Sequence, residues 1–175
     1  VTWRGRPVAQ NPMDLLAIAR IIQANPRRVV EIGTGTGGSA LFWKDAGAPE
    51  VITIDVEECL LGAPCITCWH GRSVDLASRF HKSRHPKPSL VILDGDHHAD
   101  TVSQELRLYN PLVPLGGYLI VCDTHFNGHP IDPDFGPGPW EAVEAFLAER
   151  DDFVRDYDVQ PLLTWNPGGY LRRIR

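Results

Sequence analysis

Two carboxylates and two imidazoles lie within the stretch DGDHH, residues 94–98, directly after the apolar run SLVIL. A further carboxylate, Asp123, follows the later apolar run GGYLIVC. If the two runs are neighbouring strands, Asp94 and Asp123 come together, and paired carboxylates with open positions suit Mg²⁺. His97 could then accept a hydroxyl proton near neutral pH. The spacing predicts metal-assisted chemistry on a hydroxyl group; the alternative is that His97 and His98 only begin or solvate a helix.

A glycine-rich stretch, EIGTGTGGS at 31–39, offers a place for a cofactor. Gly33, Gly35 and Gly38 satisfy the pattern G-x-G-x-x-G, which allows a tight turn and a close approach of ligand to backbone. Asp55 ends the next apolar run about 20 residues later, where a carboxylate can accept hydrogen bonds from ribose hydroxyls. Capping of a helix is the alternative role for this residue. Together these features predict an adenosine-containing cofactor, without separating NAD from S-adenosylmethionine.

Short apolar runs alternate with amphipathic stretches along the whole chain. The predicted strands are 27–33, 50–55, 65–71, 89–94 and 116–123, with a final pair at 153–159 and 168–175. The predicted helices are 11–25, 39–47, 74–83, 99–113 and 140–150. This alternation indicates a parallel sheet covered on both faces, and ligands of such sheets bind beyond the carboxyl ends of the strands. The glycine loop, Asp55, Asp94 and Asp123 all follow predicted strands.

We therefore expect one α/β domain over residues 1–175. Its predicted architecture is a Rossmann-like, doubly wound, mostly parallel seven-stranded sheet, with helices on both faces and a C-terminal antiparallel strand pair. Residues 1–10 are a short N-terminal segment, and the glycine- and proline-rich stretch 124–139 is long enough to be a functional loop.

The composition excludes several classes of function. A net charge of −5 argues against nucleic-acid binding, and the basic stretch 79–88 is best interpreted as a solvated connection. No apolar run approaches the roughly 20 residues that cross a bilayer, and no secretory signal opens the chain. Four unevenly spaced cysteines predict a reducing compartment. We expect a cytoplasmic protein with ordinary cysteines; zinc or redox chemistry at CITC, residues 65–68, is the alternative.

The chain resembles class I S-adenosylmethionine-dependent methyltransferases. More narrowly, it is similar to the family named for cephalosporin hydroxylase and rhamnosyl O-methyltransferase, with macrolide-sugar O-methyltransferases as relatives. The resemblance runs from about QNPMDL to the C-terminus. Its carriers are VEIGTGTGGSALF, ITIDVE, LVILDGDHHADTVSQELRLYNPLVPLGGYLIVCDT, GPWEAVEAFL and TWNPGGYLRRI.

This resemblance implies roles for individual residues. The methionine part of the cofactor would be surrounded by Glu31, Gly33, Gly35 and Ser39, the ribose held by Asp55, and the adenine bounded by Gly71, Arg72 and Ser73. A divalent metal, expected to be Mg²⁺, would be held by Asp94 and Asp123, with His97 as the general base. Relatives often carry two acidic residues where this chain has Cys122 and Asp123. A thiolate is a poor Mg²⁺ ligand, so the site would bind the metal more weakly, favour a softer ion, or need none.

The short N-terminal segment is a second departure, because relatives usually have a longer region there that covers the substrate. Cover would then come from the loop 124–139 or a partner subunit in a homo-oligomer, or a large acceptor would bind at an open site. Phe126, Phe135 and Trp140 could stack on the acceptor or simply pack under the loop.

The expected activity is methyl transfer from S-adenosylmethionine to a hydroxyl of a small molecule or sugar, assisted by a divalent metal. Two alternatives stay open. A nicotinamide-dependent oxidoreductase could use the same glycine loop, although no Tyr-x-x-x-Lys catalytic pair is evident. A degenerate cofactor-binding module that serves as an interaction partner would explain Cys122 and the missing N-terminal cover.

Overall fold

A central sheet of seven strands forms the frame of the molecule in the computed structural model, which describes residues 1–26, 28–82 and 90–175. The spatial order of the strands is β5-β4-β3-β6-β7-β9-β8. Their bounds are β3 Val29–Ile32, β4 Val51–Asp55, β5 Ile66–His70, β6 Leu90–Leu93, β7 Tyr118–Val121, β8 Phe153–Arg155 and β9 Tyr170–Arg173. Strands β3 to β7 pair in parallel, whereas β9 is antiparallel to both β7 and β8. The predicted sheet, with its C-terminal antiparallel pair, is confirmed.

The helices occupy the connections between the strands. Their bounds are α1 Pro12–Ala24, α2 Gly38–Asp45, α3 Ser73–Leu76, α4 Ser78–Lys82, α5 Ala99–Tyr109 and α6 Pro139–Ala148, and a 3₁₀ turn follows at Asn110–Leu112. The helix predicted at 74–83 is therefore two short helices, interrupted at Ala77. Part of the basic stretch, 83–88, and the first residues of two predicted strands, 27 and 89, lie outside the described residues.

Alternate residues of the strands pack on opposite faces of the sheet, because successive side chains point to opposite sides. On one face, Val30 and Ile52 share a buried cluster with residues of α5 and α6. On the other, Val29 and Val51 share a second cluster with residues of α1 and α2. Helices thus cover both faces, and the expectation of a doubly wound sheet is confirmed. No helix in the described part of the chain is both long and apolar enough to span a bilayer.

The register of the strands sets their carboxyl ends side by side. Ile32 pairs with Leu93, and Leu93 pairs with Val121, so the residues that follow these strands are neighbours at one edge. Gly33, the first of these residues, has φ +91°, and its backbone packs closely against the backbone of Asp94. A Cβ at this position would lie 2.0 Å from the carbonyl oxygen of Asp94, which only a glycine avoids.

The N-terminal segment packs beside this edge. A hairpin of β1 Thr2–Trp3 and β2 Arg6–Pro7 precedes α1. The indole Nε1 of Trp3 donates to the Asp45 carboxylate over 2.8 Å, and the hydroxyl of Thr36 donates to the carbonyl of Pro7 over 2.6 Å. These contacts hold the segment against α2 and the glycine loop.

Candidate functional site

A cavity of about 500 Å³ runs along the carboxyl edge of the sheet. Eight residues predicted to form the site line it: Gly33, Gly35, Ser39, Asp55, Gly71, Arg72, Ser73 and Asp94. The lining also includes residues from two segments that were not predicted to contribute to the cofactor site, namely Pro7–Gln10 of the N-terminal segment and Thr101 and Glu105 of α5. The cavity therefore joins the glycine loop, three further strand ends and two flanking elements.

Asp55, at the end of β4, fastens the glycine loop to the sheet. Its Oδ2 accepts the backbone N–H groups of Thr34 and Gly35, at 2.7 and 2.9 Å, and its Oδ1 accepts that of Glu57 at 3.0 Å. Burial by itself would raise the pKa of Asp55, but these backbone donors outweigh it and the pKa is lowered. Asp55 is thus an ionised carboxylate at the cavity wall, with lone-pair capacity left on Oδ1 for a ribose hydroxyl.

Glu31 lies behind the glycine loop and is not among the residues that line the cavity. Since side chains alternate along β3, its carboxylate points towards α2. Oε1 accepts the indole N–H of Trp43 at 2.7 Å, and Oε2 accepts the hydroxyl of Thr53 at 2.8 Å. Burial raises the pKa of Glu31 to about 7, against the opposing hydrogen bonds from Ser39, Thr53 and Trp43. Glu31 thus contacts Ser39, which does line the cavity, and its own contact with the cofactor stays a prediction.

Asp94, His97 and Asp123 come together at the end of the cavity. One possible ligand atom from each lies within 4.8 Å of the others, and the described residues contain no other such group of three or more. Consequently the cysteines of the stretch 65–68 form no such group within that part of the chain. Asp94 and Asp123 meet because they follow β6 and β7, which are adjacent, and His97 reaches them from the turn before α5.

The two carboxylates of this group lie in an environment that disfavours their negative charge. Burial raises the pKa of Asp94 well above its usual value, opposed by a hydrogen bond from Gln10 and reinforced by the nearby charge of Asp123. Burial likewise raises the pKa of Asp123. In the described part of the chain, no lysine or arginine forms an ion pair with either carboxylate. Two crowded carboxylates that face histidines but no lysine or arginine in this part of the chain fit a divalent cation, which would supply the missing positive charge.

His97 contacts Asp123 directly: its Nε2 lies 3.3 Å from the Asp123 Oδ2. Burial lowers the pKa of His97, since a charged ring is poorly solvated there. The imidazole is therefore neutral at neutral pH and able to accept a proton. His98 points away, with Nδ1 2.7 Å from an Asp96 oxygen and most of its side chain exposed.

Cys122 lies beneath the group as a buried, neutral thiol. Burial raises the pKa of Cys122 well above that of an ordinary thiol, and the surrounding carboxylates raise it further. The side-chain amide of Gln10 donates to the Asp94 Oδ2 at 2.9 Å and lies 3.9 Å from the Cys122 sulfur. The Cys122 sulfur is not among the ligand atoms that come together here. Gln10, which the sequence analysis missed, fixes the orientation of Asp94.

Asp123 is held from behind by the C-terminal stretch TWNPGGYLRRI. Asp123 has φ +54°, an uncommon conformation for a residue other than glycine. Its backbone N–H donates to the side-chain oxygen of Asn166 over 2.9 Å, and the Asn166 N–H donates to the hydroxyl of Thr164. His125 adds a second imidazole, with Nδ1 3.6 Å from the other oxygen of Asp123. This stretch is one of those that carry the family resemblance, but its contacts with Asp123 are visible only in the fold.

The loop 124–139 brings aromatic rings to one side of the group. Phe126 stacks on Phe135 with ring centres 4.9 Å apart, and it also lies 5.7 Å from the ring of His97. Trp140 instead stacks on His129, away from His97. Of the three predicted stacking residues, Phe126 lies beside His97 and Phe135 stacks on Phe126, whereas Trp140, at the start of α6, contacts His129 and the guanidinium of Arg155.

Comparison with known proteins gives a consistent result. A family model described as rhamnosyl O-methyltransferase/CmcI matches residues 1–174. A rhamnosyl O-methyltransferase of Mycobacterium tuberculosis (strain ATCC 25618 / H37Rv) is 34% identical over 188 residues, covering 98% of this chain and 75% of the relative. That of Mycobacterium leprae (strain TN) is 36% identical over 171 residues, covering 90% and 73%.

Solved structures resemble the chain as well. CmcI with magnesium and S-adenosylmethionine superposes with a TM-score of 0.72 at 26% identity, covering all of this chain and 77% of CmcI. The methyltransferase MycE of the mycinamycin biosynthetic pathway, in complex with magnesium, S-adenosylhomocysteine and mycinamycin VI, gives a TM-score of 0.57 at 23% identity. That match covers 74% of this chain and 38% of MycE, and it supports the fold alone.

Proposed function

The chain belongs to the rhamnosyl O-methyltransferase/CmcI family and is an S-adenosylmethionine-dependent O-methyltransferase; we propose that it methylates a sugar hydroxyl, with Asp94 and Asp123 holding a divalent cation. The observation that carries this proposal is the meeting of Asp94, His97 and Asp123 at one end of the cavity. The acceptor class is supported by relatives named as rhamnosyl O-methyltransferases. A metal is supported by the CmcI structure that contains magnesium.

We assign the cavity to S-adenosylmethionine. In this assignment Gly33 and Gly35 leave the backbone open to the methionine part, and Asp55 accepts hydrogen bonds from the ribose through Oδ1. The adenine lies against the stretch 71–73, which follows the last strand on that side. The chemistry that this cofactor supplies is an electrophilic methyl group on a positively charged sulfur.

The cation is assigned to the carboxylates of Asp94 and Asp123. Oxygen donors of this kind suit Mg²⁺, and the Cys122 sulfur, which a softer ion would prefer, is not part of the group of ligand atoms. Bound there, a divalent cation would supply Lewis-acid polarisation, which makes a hydroxyl group easier to deprotonate. Gln10 holds the Asp94 carboxylate in place by its hydrogen bond to Oδ2.

His97 is assigned as the general base. Its neutral ring accepts the hydroxyl proton, and the Asp123 oxygen 3.3 Å from Nε2 stabilises the positive charge that the ring then carries. The stacked pair of Phe126 and Phe135 lies next to His97. Because Phe126 also stacks on His125 and Phe135 on His98, an acceptor would contact the edges of these rings. On this assignment the loop 124–139 positions the acceptor.

The test is a methyl-transfer assay with S-adenosylmethionine labelled in its methyl group and a panel of rhamnosides and related sugar acceptors. Label should pass to a hydroxyl of at least one acceptor, transfer should stop with a chelator, and added Mg²⁺ should restore it. Methyl transfer that persists in the presence of the chelator would show that the reaction does not need the cation. Binding of the cofactor with no transfer to any sugar would favour a degenerate cofactor-binding module, which the neutral Cys122 would suit.

A further inference from the structure

Glu105 is a buried carboxylate on the wall of the cofactor cavity, and none of the functions assigned above uses it. It lies on α5 with 1% of its surface exposed. The hydroxyl of Ser73 donates to its Oε1. Its Oε2 has no hydrogen-bond partner among the residues that the structure describes, and no arginine or lysine forms an ion pair with Glu105 there. A buried acceptor left in this way is costly unless a ligand supplies a donor.

The order of the strands shows at which end of the cavity Glu105 lies. The residues after β5, β4, β3, β6 and β7 stand along the edge in that order, so Ser73 is at one end and Asp123 at the other. Glu105 contacts Ser73 and therefore belongs to the end remote from Asp123. On the proposed function, on which this inference rests, the sulfur lies beside Asp94 and Asp123. An extended cofactor then places its purine next to Glu105.

The chemistry of a carboxylate decides what Glu105 can recognise. An ionised carboxylate only accepts hydrogen bonds, so it pairs with an amino group and is repelled by a carbonyl oxygen. Burial raises the pKa of Glu105 to about 7, with a hydrogen bond from Ser73 opposing the shift and the charge of Asp96 adding to it. The ionised form is thus accessible near neutral pH, and a donor from the ligand would favour it further. Hypoxanthine has an oxygen in place of the 6-amino group of adenine and a hydrogen on N1, so an acceptor that faces position 6 distinguishes the two bases.

We propose that Glu105 recognises the 6-amino group of the cofactor's adenine, so that the site discriminates against purines with an oxygen at that position. Ser73 holds the carboxylate in this orientation, and Tyr109 holds Ser73 through a 2.8 Å hydrogen bond to its carbonyl oxygen. These contacts leave the second oxygen of Glu105 for the ligand. The alternative is a purely structural role, in which Glu105 only ties α5 to α3.

The experiment measures by calorimetry the dissociation constants of S-adenosylhomocysteine and of its 6-oxo analogue, S-inosylhomocysteine. Three chains are compared: the unaltered protein, Glu105→Gln, and Gln104→Ala, a control at an exposed neighbour on the same helix. The unaltered protein and the control should prefer the adenine compound by about tenfold or more, since the 6-oxo compound leaves a buried acceptor unpaired. In Glu105→Gln the preference should shrink to about threefold or less, because an amide can also donate to an oxygen.

The outcomes separate this inference from the function on which it rests. If Glu105→Gln weakens both compounds equally and keeps their ratio, the role is structural and the inference is overturned, while the cofactor assignment survives. If the unaltered protein binds both compounds equally, the inference is overturned even when the variant does not fold. If the unaltered protein binds neither compound, the cofactor assignment fails and the inference fails with it.

Discussion

At the scale of single residues, His97 and His98 show how one position decides a role. Both are imidazoles at the start of α5, but only His97 turns inward to Asp123. His98 pairs with Asp96 at the surface, and Phe135 stacks on its outer side with ring centres 5.2 Å apart. The half-buried ring of His97 has a lowered pKa and a carboxylate neighbour, which are the properties that a base needs near neutral pH.

Replacing His97 by alanine should therefore reduce turnover far more than cofactor binding. We expect kcat to fall by about 10²- to 10⁴-fold, because proton transfer is lost, while the affinity for S-adenosylhomocysteine changes by about twofold or less. His98→Ala is the matched control and should keep nearly full turnover. Steady-state kinetics together with calorimetry measure both quantities. Equal losses of turnover in the two variants would show that His97 is not the base.

At the scale of elements, Glu31 joins three parts of the glycine-loop region. It lies on β3, accepts the indole N–H of Trp43 on α2, and accepts the hydroxyl of Thr53 on β4. Its position beneath the loop makes it part of the support of Ser39 rather than of the cavity wall. Because Glu31 is buried only in the folded state, its pKa differs between the folded and unfolded states.

The pKa of Glu31 predicts a pH dependence of stability. Burial raises this pKa from 4.5 to about 7, so the folded state binds the proton more tightly than the unfolded state. The stabilisation that results is complete below pH 4.5 and is lost as the pH rises through about 7. Relative to Glu31→Gln, which cannot ionise, the free energy of unfolding should fall by about 3 kcal/mol across this range.

Urea unfolding of the two chains at a series of pH values measures this difference. Glu105, whose pKa is also raised to about 7, is present in both chains, so its contribution cancels in the comparison. Parallel curves of unfolding free energy against pH for the two chains would mean that Glu31 has an ordinary pKa in the folded protein. Its carboxylate would then not be buried as described.

Elements are also the scale at which the sequence was most informative. Every parallel strand was predicted, because near-continuous apolar runs are typical of strands buried on both faces. The ends were less accurate: the strand predicted at 153–159 ends at Arg155, and the backbone N–H of Asp156 makes one last bond to the carbonyl of Tyr170. The helix predicted at 74–83 is interrupted at Ala77, which separates α3 from α4.

At the scale of the whole molecule, the site is assembled from segments that are distant in the sequence. Gln10 reaches Asp94 across 84 positions, and Asn166 reaches Asp123 across 43. Strand-end reasoning found Asp94 and Asp123, because adjacent parallel strands end at one edge. It could not find Gln10, Asn166 or Glu105, since nothing in the local pattern states which segments fold back over that edge.

The N-terminal segment also contributes to the assembled site. Its residues Pro7–Gln10 form a wall of the cofactor cavity, and the hairpin before them is fixed to α2 through Trp3 and Asp45. This wall belongs to the cofactor cavity, and the cover of the substrate by the loop 124–139 stays a prediction. That residues 1–175 fold as a single domain, and that the chain forms a homo-oligomer, stay predictions.

The central claim is that Asp94 and Asp123 form one cation site beside the cofactor. Titration of Mn²⁺, followed by electron paramagnetic resonance in the presence of S-adenosylhomocysteine, tests it on four chains. The unaltered protein and Asp96→Asn, a control at a neighbouring carboxylate that caps the turn before α5, should bind one ion. Asp94→Asn and Asp123→Asn should each lose at least about tenfold in Mn²⁺ affinity, because a charged oxygen ligand is removed. Unchanged Mn²⁺ affinity in these two variants would contradict the account.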